Sequence, residues 1–470
     1  MASKKKAAKQ RGSWRRWALP VAFLALIMTP FLVVFSIEEK TTAAWEEFLA
    51  RWRSHGESFE LQHLLPPPLP DSENVALHPA LASFLERQDP DLDWRQSLPG
   101  DLPGWNEQAY LRYLRDLSEG NVTNIFASFG LEPCAPADFR AHLGKAFKDW
   151  GAVLDRYGQA VRERTLLAFE VDWVRLFLDE ELPHFAAYSN LGKAFLARAA
   201  IRRALGEAKG SQQDLATAMH LARSYDRVPL LLCQLLQTGL LSSILDEIRA
   251  GLTDKFFGPS ELREIAALLE QAPALPANYL AGLRFERALI LDFFATVEAS
   301  HRAEIFPHSD PGSRGGVIRH LLNRRWMDAS RLALCKDQQE LFLGTGARLA
   351  DVERWHSALS LRLADGWEHF IAPLGHEALV STRMGSSLAR PLFTADSMLH
   401  GTRLAVALTR YRAELGRCPF LLSDLLPTYL PSLPELDPSV ELDYQIMENG
   451  AWHLSVRVLG KDLGGWEGRP

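Results

Sequence analysis

The sequence has little of what usually announces a chemistry. Its 470 residues contain 4 cysteines, Cys134, Cys233, Cys335 and Cys418, set so far apart that no CxxC pair exists. That spacing excludes a zinc ribbon and a vicinal dithiol redox motif. Pairing in an oxidising compartment and burial as small hydrophobes both remain open, and only a dense disulfide framework is ruled out. No GxSxG elbow, HExxH helix, kinase motif set or Walker-type phosphate loop occurs. Long apolar runs are scarce, and residues 1–16 contain no acid at all.

What is present is unevenly distributed charge. Residues 1–16 hold Lys4, Lys5, Lys6, Lys9, Arg11, Arg15 and Arg16, a charge of +7. The whole chain is at -6, so the remainder carries -13. An acidic body is unsuited to nucleic acid, whose phosphates need clustered basic charge. The 47% hydrophobic content is enough for sizeable cores, and the length corresponds to about three folded units.

Trp17 to Ile37 is free of charge and long enough to cross a bilayer as a helix. The basic residues before it belong on the cytoplasmic side, which places residues 38–470 across the membrane. A cleaved signal peptide is the rival reading. Against it, the run exceeds an ordinary signal core and Phe35-Ser36-Ile37 is not a small-x-small cleavage site. The expected localisation is the inner, cytoplasmic membrane, with the lipid bilayer contacted through residues 17–37. Val228 to Leu245 is also uncharged, but Gln234, Gln237 and Thr238 would be costly in lipid, so it reads as a buried bundle helix.

Past the span, Trp45, Phe48, Leu49 and Trp52 fall on one helical face. The pattern predicts a helix that continues the anchor or lies along the bilayer surface. Leu64-Leu65-Pro66-Pro67-Pro68-Leu69-Pro70 has polyproline character. It reads as a spacer, or as a ligand for a proline-recognition domain, and residues 71–125 read as a loosely structured wrap around the body. From about residue 138 the pattern is helical. Gly210 reads as a break, Ser211-x-x-Asp214 as a capping box, and Gly258-Pro259-Ser260 as another helix start. The segment 191–222 resembles a tetratricopeptide-type hairpin, without a second copy at fixed period.

Several constellations contain residue types that could carry chemistry. Asp89-x-Asp91-x-Asp93 begins like a calcium loop, but Trp94 and Gly100 stand where glycine and glutamate are required. His301, Glu304 and His308, and likewise His369 and His376, lack a full ligand set. Gly312 to Gly316 lacks the phosphate-loop lysine, and Asp179, Glu180 and Glu181 read as a solvated acidic run. No catalytic, cofactor or metal residues are therefore assigned.

The C-terminal region is the most informative. Met398, Ala405, Leu408, Tyr411 and Leu415 make a helical stripe ending at Gly416, and a proline-punctuated segment follows. Leu442–Ile446 and Ala451–Val456 read as strands joined across Asn449-Gly450. The series Ala407-Leu408-x-x-Tyr411-Arg412-x-x-x-Gly416-Arg417-x-Pro419, then Leu430-Pro431-x-Leu433-Pro434-x-x-Asp437-Pro438, is followed by Leu442-x-Tyr444. Leu459-Gly460-x-Asp462 and Gly464-Gly465-Trp466 complete it. Residues 396–466 resemble the globular part of type II secretion major pseudopilins. The resemblance implies a helix with a small antiparallel sheet, and a calcium site to which Asp462 is the one matching ligand. It departs in lacking a prepilin processing motif before Ala18 and the glycine after Asp437-Pro438. The whole chain is also similar to a family of bacterial single-pass membrane proteins, a likeness that brings no activity with it.

The expected organisation is a basic tail (1–16), a transmembrane helix (17–37), a juxtamembrane helix with Pro-rich stalk or wrap (38–125), a helical domain (126–392) and a pseudopilin-like α+β module (393–470). The fold class is mainly α with a short antiparallel sheet. The expected role is an extracytoplasmic binding or scaffold protein of the cell envelope with a protein partner. The alternatives are an envelope hydrolase or an accessory component of a type II secretion-like system.

Overall fold

A computed structural model of the chain describes residues 40–81, 139–164, 166–168, 185–299, 327–346, 348–365, 373–448 and 450–468. The basic tail, the span 17–37, Cys134, the acidic turn at 89–93, Asp179 to Glu181, the histidines at 301, 308 and 369 and the glycine-rich loop lie outside these residues. The protein is mainly helical, with one small three-stranded antiparallel sheet near the C-terminus. It divides into two compact units, and helices 275–299, 349–365 and 373–415 each contribute residues to both.

In the first unit, residues 40–53 form helix α1. Trp45, Phe48 and Trp52 are buried on one face, as their spacing predicts. What covers that face is a correction to the sequence reading. Phe59, Ile290, Phe294, Leu334 and Cys335 close over it, so the aromatic stripe meets protein instead of a bilayer surface. Trp45 stacks on Phe48 at 5.7 Å, and Phe59 meets both rings edge-on. Aromatic stripes on an amphipathic helix fit a lipid interface and a protein core equally well, which is why spacing alone misplaced this one.

The second unit holds helices α2 (Phe139–Glu163), α3 (Phe185–Leu205), α4 (Ala208–Ser224), α5 (Leu231–Thr253) and α6 (Pro259–Glu270), with part of α7 (Leu275–Ala299). The break between α3 and α4 is at Gly206, not at Gly210. Gly206 has φ +82, and the Gly206 and Glu207 amides return to the carbonyls of Arg203 and Arg202. This left-handed cap suits glycine because it carries no Cβ. Helix α4 therefore starts before Ser211-x-x-Asp214, and the expected capping box is a misreading: both residues are buried inside the helix. Asp214, 1% exposed, instead accepts Nε and Nη2 of Arg198 and Nη1 of Arg202. Arg198 continues to Asp155 and the Gly151 carbonyl, so one guanidinium joins α2, α3 and α4.

Helix α5 covers the second uncharged run. Its polar residues are held within the bundle: Gln237 donates to the Ala222 carbonyl and Asp226, and Thr238 to the Gln234 carbonyl. Among the described residues no helix is long and apolar enough to cross a membrane. Helix α6 starts as predicted, with Gly258 preceding Pro259 and Leu262, Ile265, Leu268 and Leu269 buried. The proline stretch lies against this body. Arg227 donates to the Pro67 carbonyl at 2.9 Å, and buried Asn74 bonds both the amide and the carbonyl of Ala168.

Met327–Asp337 (α8) and Leu349–Asp365 (α9) precede α10 (Pro373–Leu415), which contains Pro391. Ala405, Leu408 and Tyr411 are buried as expected, but Leu415 is exposed. Strand β1 (Val440–Ile446) pairs antiparallel with β2 (Trp452–Val458) around the Gly450 turn. The tail that completes the pseudopilin-like series, not read as a strand from the sequence, is a third strand, β3 (Lys461–Gly468), paired with β2. Gly464 and Gly465 lower its strand propensity and hid it. Gly465 is required there, since a Cβ would lie 2.8 Å from the His453 ring and 2.9 Å from the Leu454 carbonyl oxygen.

Because Asp214 answers two guanidinium groups, one of them buried, Asp214→Ala should destabilise the protein by about 3–5 kcal/mol, since buried Arg198 is left with the exposed Asp155 as its one carboxylate. Urea unfolding followed by circular dichroism measures it; a loss below about 1 kcal/mol would show that water reaches Arg198.

Candidate binding cleft

The turn after α5 builds one wall of a cleft in the second unit. The Lys255 amide returns to the Leu252 carbonyl and the Phe256 amide to Gly251, which puts Lys255 in the left-handed cap position at φ 52. Glycine is the usual residue at this position, and a side chain there costs about 1–2 kcal/mol. The reversal lays Phe257 on the last turn of α5, where a Cβ on Gly251 would lie 2.2 Å from the ring. Gly258 and Pro259 then start α6.

The facing wall comes from α10 and the sheet. Thr409, Arg412 and Ala413 lie on one face of α10, at the i, i+3, i+4 spacing of helical neighbours. Trp452 on β2 and Trp466 on β3 also border the space, with packing leaving them only 2% and 3% exposed. Trp466 lies across Gly401 so closely that a Cβ there would be 2.3 Å from its ring. Arg412 donates to the Gly468 carbonyl at 3.1 Å, tying the end of β3 to α10. The cleft is half open and holds about 310 Å³, at the small end of the roughly 300–1,000 Å³ of ligand pockets. The buried indole N–H of Trp466 has no partner among the described residues.

Three aromatic rings with Lys255, Arg412 and Glu467 around them suit flat or apolar groups carrying a polar end. They do not make a nucleophile and its base. Composition and motif searching did not single out this cleft, because its residues come from three separated segments. The adjacent Phe256-Phe257-Gly258-Pro259 at a helix junction was the local signal.

The residues singled out by sequence lie elsewhere. Asp462 is exposed on β3 and accepts the Gly464 amide at 2.8 Å. Among the described residues no group of three or more His, Cys, Asp and Glu is placed to hold a metal ion. Cys233 and Cys335 are buried, and burial pushes the Cys233 thiol up, away from the reactive thiolate. Cys418 is half-exposed beside the Gly450 carbonyl. His376 lies within α10.

Two carboxyl groups raised by burial tie helices together. Helix α5 begins at Leu230 without a side-chain cap of its own. Glu286 of α7 supplies it, accepting the Leu231 amide at 2.9 Å, and burial pushes its carboxyl up to about 7. Asp226 is also raised by burial, while Gln237 and Asn278 donate to it. Such shifts often mark active sites; here each group joins two helices.

Two outcomes follow. The folded state holds the Glu286 proton up to about pH 7, while the unfolded chain releases it near pH 4.5. Stability therefore falls as pH rises through that window. Glu286→Gln keeps an acceptor for Leu231 and removes the charge. Its unfolding free energy should match the parent near pH 4.5 and exceed it by up to about 3 kcal/mol at pH 8, read from denaturant melts. Gly401→Ala should cost about 1–3 kcal/mol by overpacking against Trp466. Gly239→Ala, where nothing lies within 4 Å of the added carbon, should be neutral or stabilising by about 0.5–1 kcal/mol; equal effects at both sites would remove the close contact from the account. Comparison with family models, curated proteins and solved structures returns no match to this chain.

Proposed function

We propose that this is a membrane-anchored binding or scaffold protein of the bacterial cell envelope. Residues 17–37 hold it in the inner membrane, the basic tail is cytoplasmic, and the body is extracytoplasmic. The bilayer and an envelope protein are its partners, and nucleic acid is not. The observation that carries the binding role is the aromatic cleft of about 310 Å³ framed by Phe257, Trp452 and Trp466. Support for anchoring is the uncharged run that follows seven basic residues without an acid.

On this reading the pair α3–α4, folded back at Gly206, is a tetratricopeptide-like hairpin serving as frame. The C-terminal part of α10 with the three-stranded sheet is a pseudopilin-like module reused in a single-pass protein. Its order of helix, proline-rich segment, hairpin and final strand is what supports that likeness. Helical hairpins commonly bind proteins, an argument by architecture.

Reporter fusions at residue 60 and at the C-terminus test the topology: a periplasmic reporter should be active at both, and silence at both overturns the proposal. A photo-crosslinking residue at Phe257 should give a discrete adduct in intact cells. The same residue at exposed Leu77 should not, and matching patterns at the two sites would remove the cleft from the binding role.

A further inference from the structure

A second cavity in the same unit lies between α6, α10 and the segment 429–431, and its lining is basic. It encloses about 230 Å³ and is bordered by Arg263, Arg403, Arg410, Glu270, Tyr429 and Leu430. The three guanidinium charges against one carboxylate leave a formal charge of +2. None of the three arginines has a carboxylate partner among the described residues, whereas Arg198, Arg202 and Arg203 are paired with acids.

Each guanidinium is only partly satisfied. Arg403 uses Nε and Nη2 on the Leu269 carbonyl, the end of α6, and Arg263 uses Nε on the Pro259 carbonyl. Arg410 lies over the Tyr429 ring at 5.5 Å, and its buried Nε–H has no acceptor among the described residues. Tyr429 is itself fixed by Glu414, which accepts its hydroxyl. Guanidinium groups stay charged at any physiological pH and match phosphate oxygens in a planar fork. A buried donor without an acceptor is a cost that a ligand oxygen removes.

We infer that this cavity binds a phosphate group. A phosphate dianion matches the formal charge of +2 and offers oxygens to three separate forks. A monocarboxylate would leave charge and donors over. The phosphate comes either from a free ion or small phosphate monoester, which carries the full double charge, or from a phospholipid headgroup, a phosphodiester that offers its oxygens to the same forks with a single charge. This site is separate from the aromatic cleft and does not depend on its role.

The test uses the full chain in detergent, titrated with inorganic phosphate, with acetate as control, followed by calorimetry. Vesicles of phosphatidylglycerol or of phosphatidylcholine alone form the second arm, with binding read by co-flotation of the detergent-free chain in nanodiscs. Arg263→Gln is an exposed change that leaves the fold intact, and Arg410→Gln removes the buried donor. Phosphate binding weakened at least tenfold by each variant, with acetate inert, supports a free phosphate ligand. Phosphatidylglycerol-dependent flotation lost in both variants, without phosphate binding, supports a headgroup. No binding in either arm, or binding that both variants leave within twofold of the parent, overturns the inference.

Discussion

The indole of Trp466 rests directly on the backbone of α10, a contact that only a glycine at position 401 allows. Much of the second unit is arranged by that approach. With the sheet seated on this side of α10, Arg412 reaches the end of β3, and Trp452 and Trp466 become a wall of the cleft. Further residues of the same helix face α6: Arg403 holds the Leu269 carbonyl, and Arg410 borders the basic cavity. One helix thus positions both sites, and its sequence must satisfy a small-residue contact, a buried stripe and three arginines within about three helical turns.

The helical body is organised around charge as well as apolar packing. Arg198 and Asp214 are both buried, and a pair of this kind is weak evidence for stability, because desolvation offsets much of the attraction. Its effect here is geometric. A planar guanidinium with two acceptors on α4, one on α2 and a backbone carbonyl permits one register of three helices, whereas apolar side chains would tolerate several. The Gly206 reversal sets the same register from the other end.

The sequence made the helices and the first hairpin legible because their signals are local. Gly258-Pro259 with its leucine stripe, and Asn449-Gly450 between alternating apolar residues, act over a few positions. Failures came where a local pattern had two physical solutions. Trp45, Phe48 and Trp52 announce an apolar face without saying whether lipid or Phe294 covers it. Ser211-x-x-Asp214 has the form of a cap, but Asp214 is claimed by Arg198, sixteen residues earlier. The cleft was invisible because Phe257, Thr409 and Trp466 meet only after folding, and the arginine cavity was hidden for the same reason. No alternation could reveal β3, where Gly465 fits His453 and the backbone of β2, Gly464 takes φ +102 and Gly468 faces the Trp452 ring.

Helix α5 starts on an amide held by a carboxylate 55 residues later, and α6 ends on a carbonyl held by an arginine 134 residues later. The start of α5 and the end of α6 each draw a partner from a distant segment. Fraying at the first turn of α5 therefore requires α7 to draw back, and fraying at the last turn of α6 requires α10 to release it. Helix ends that would ordinarily open independently are joined into larger cooperative segments. Amide exchange at Leu231 then reports on the docking of α7 as much as on the helix that contains it, and these ends form late, after distant parts of the chain have met.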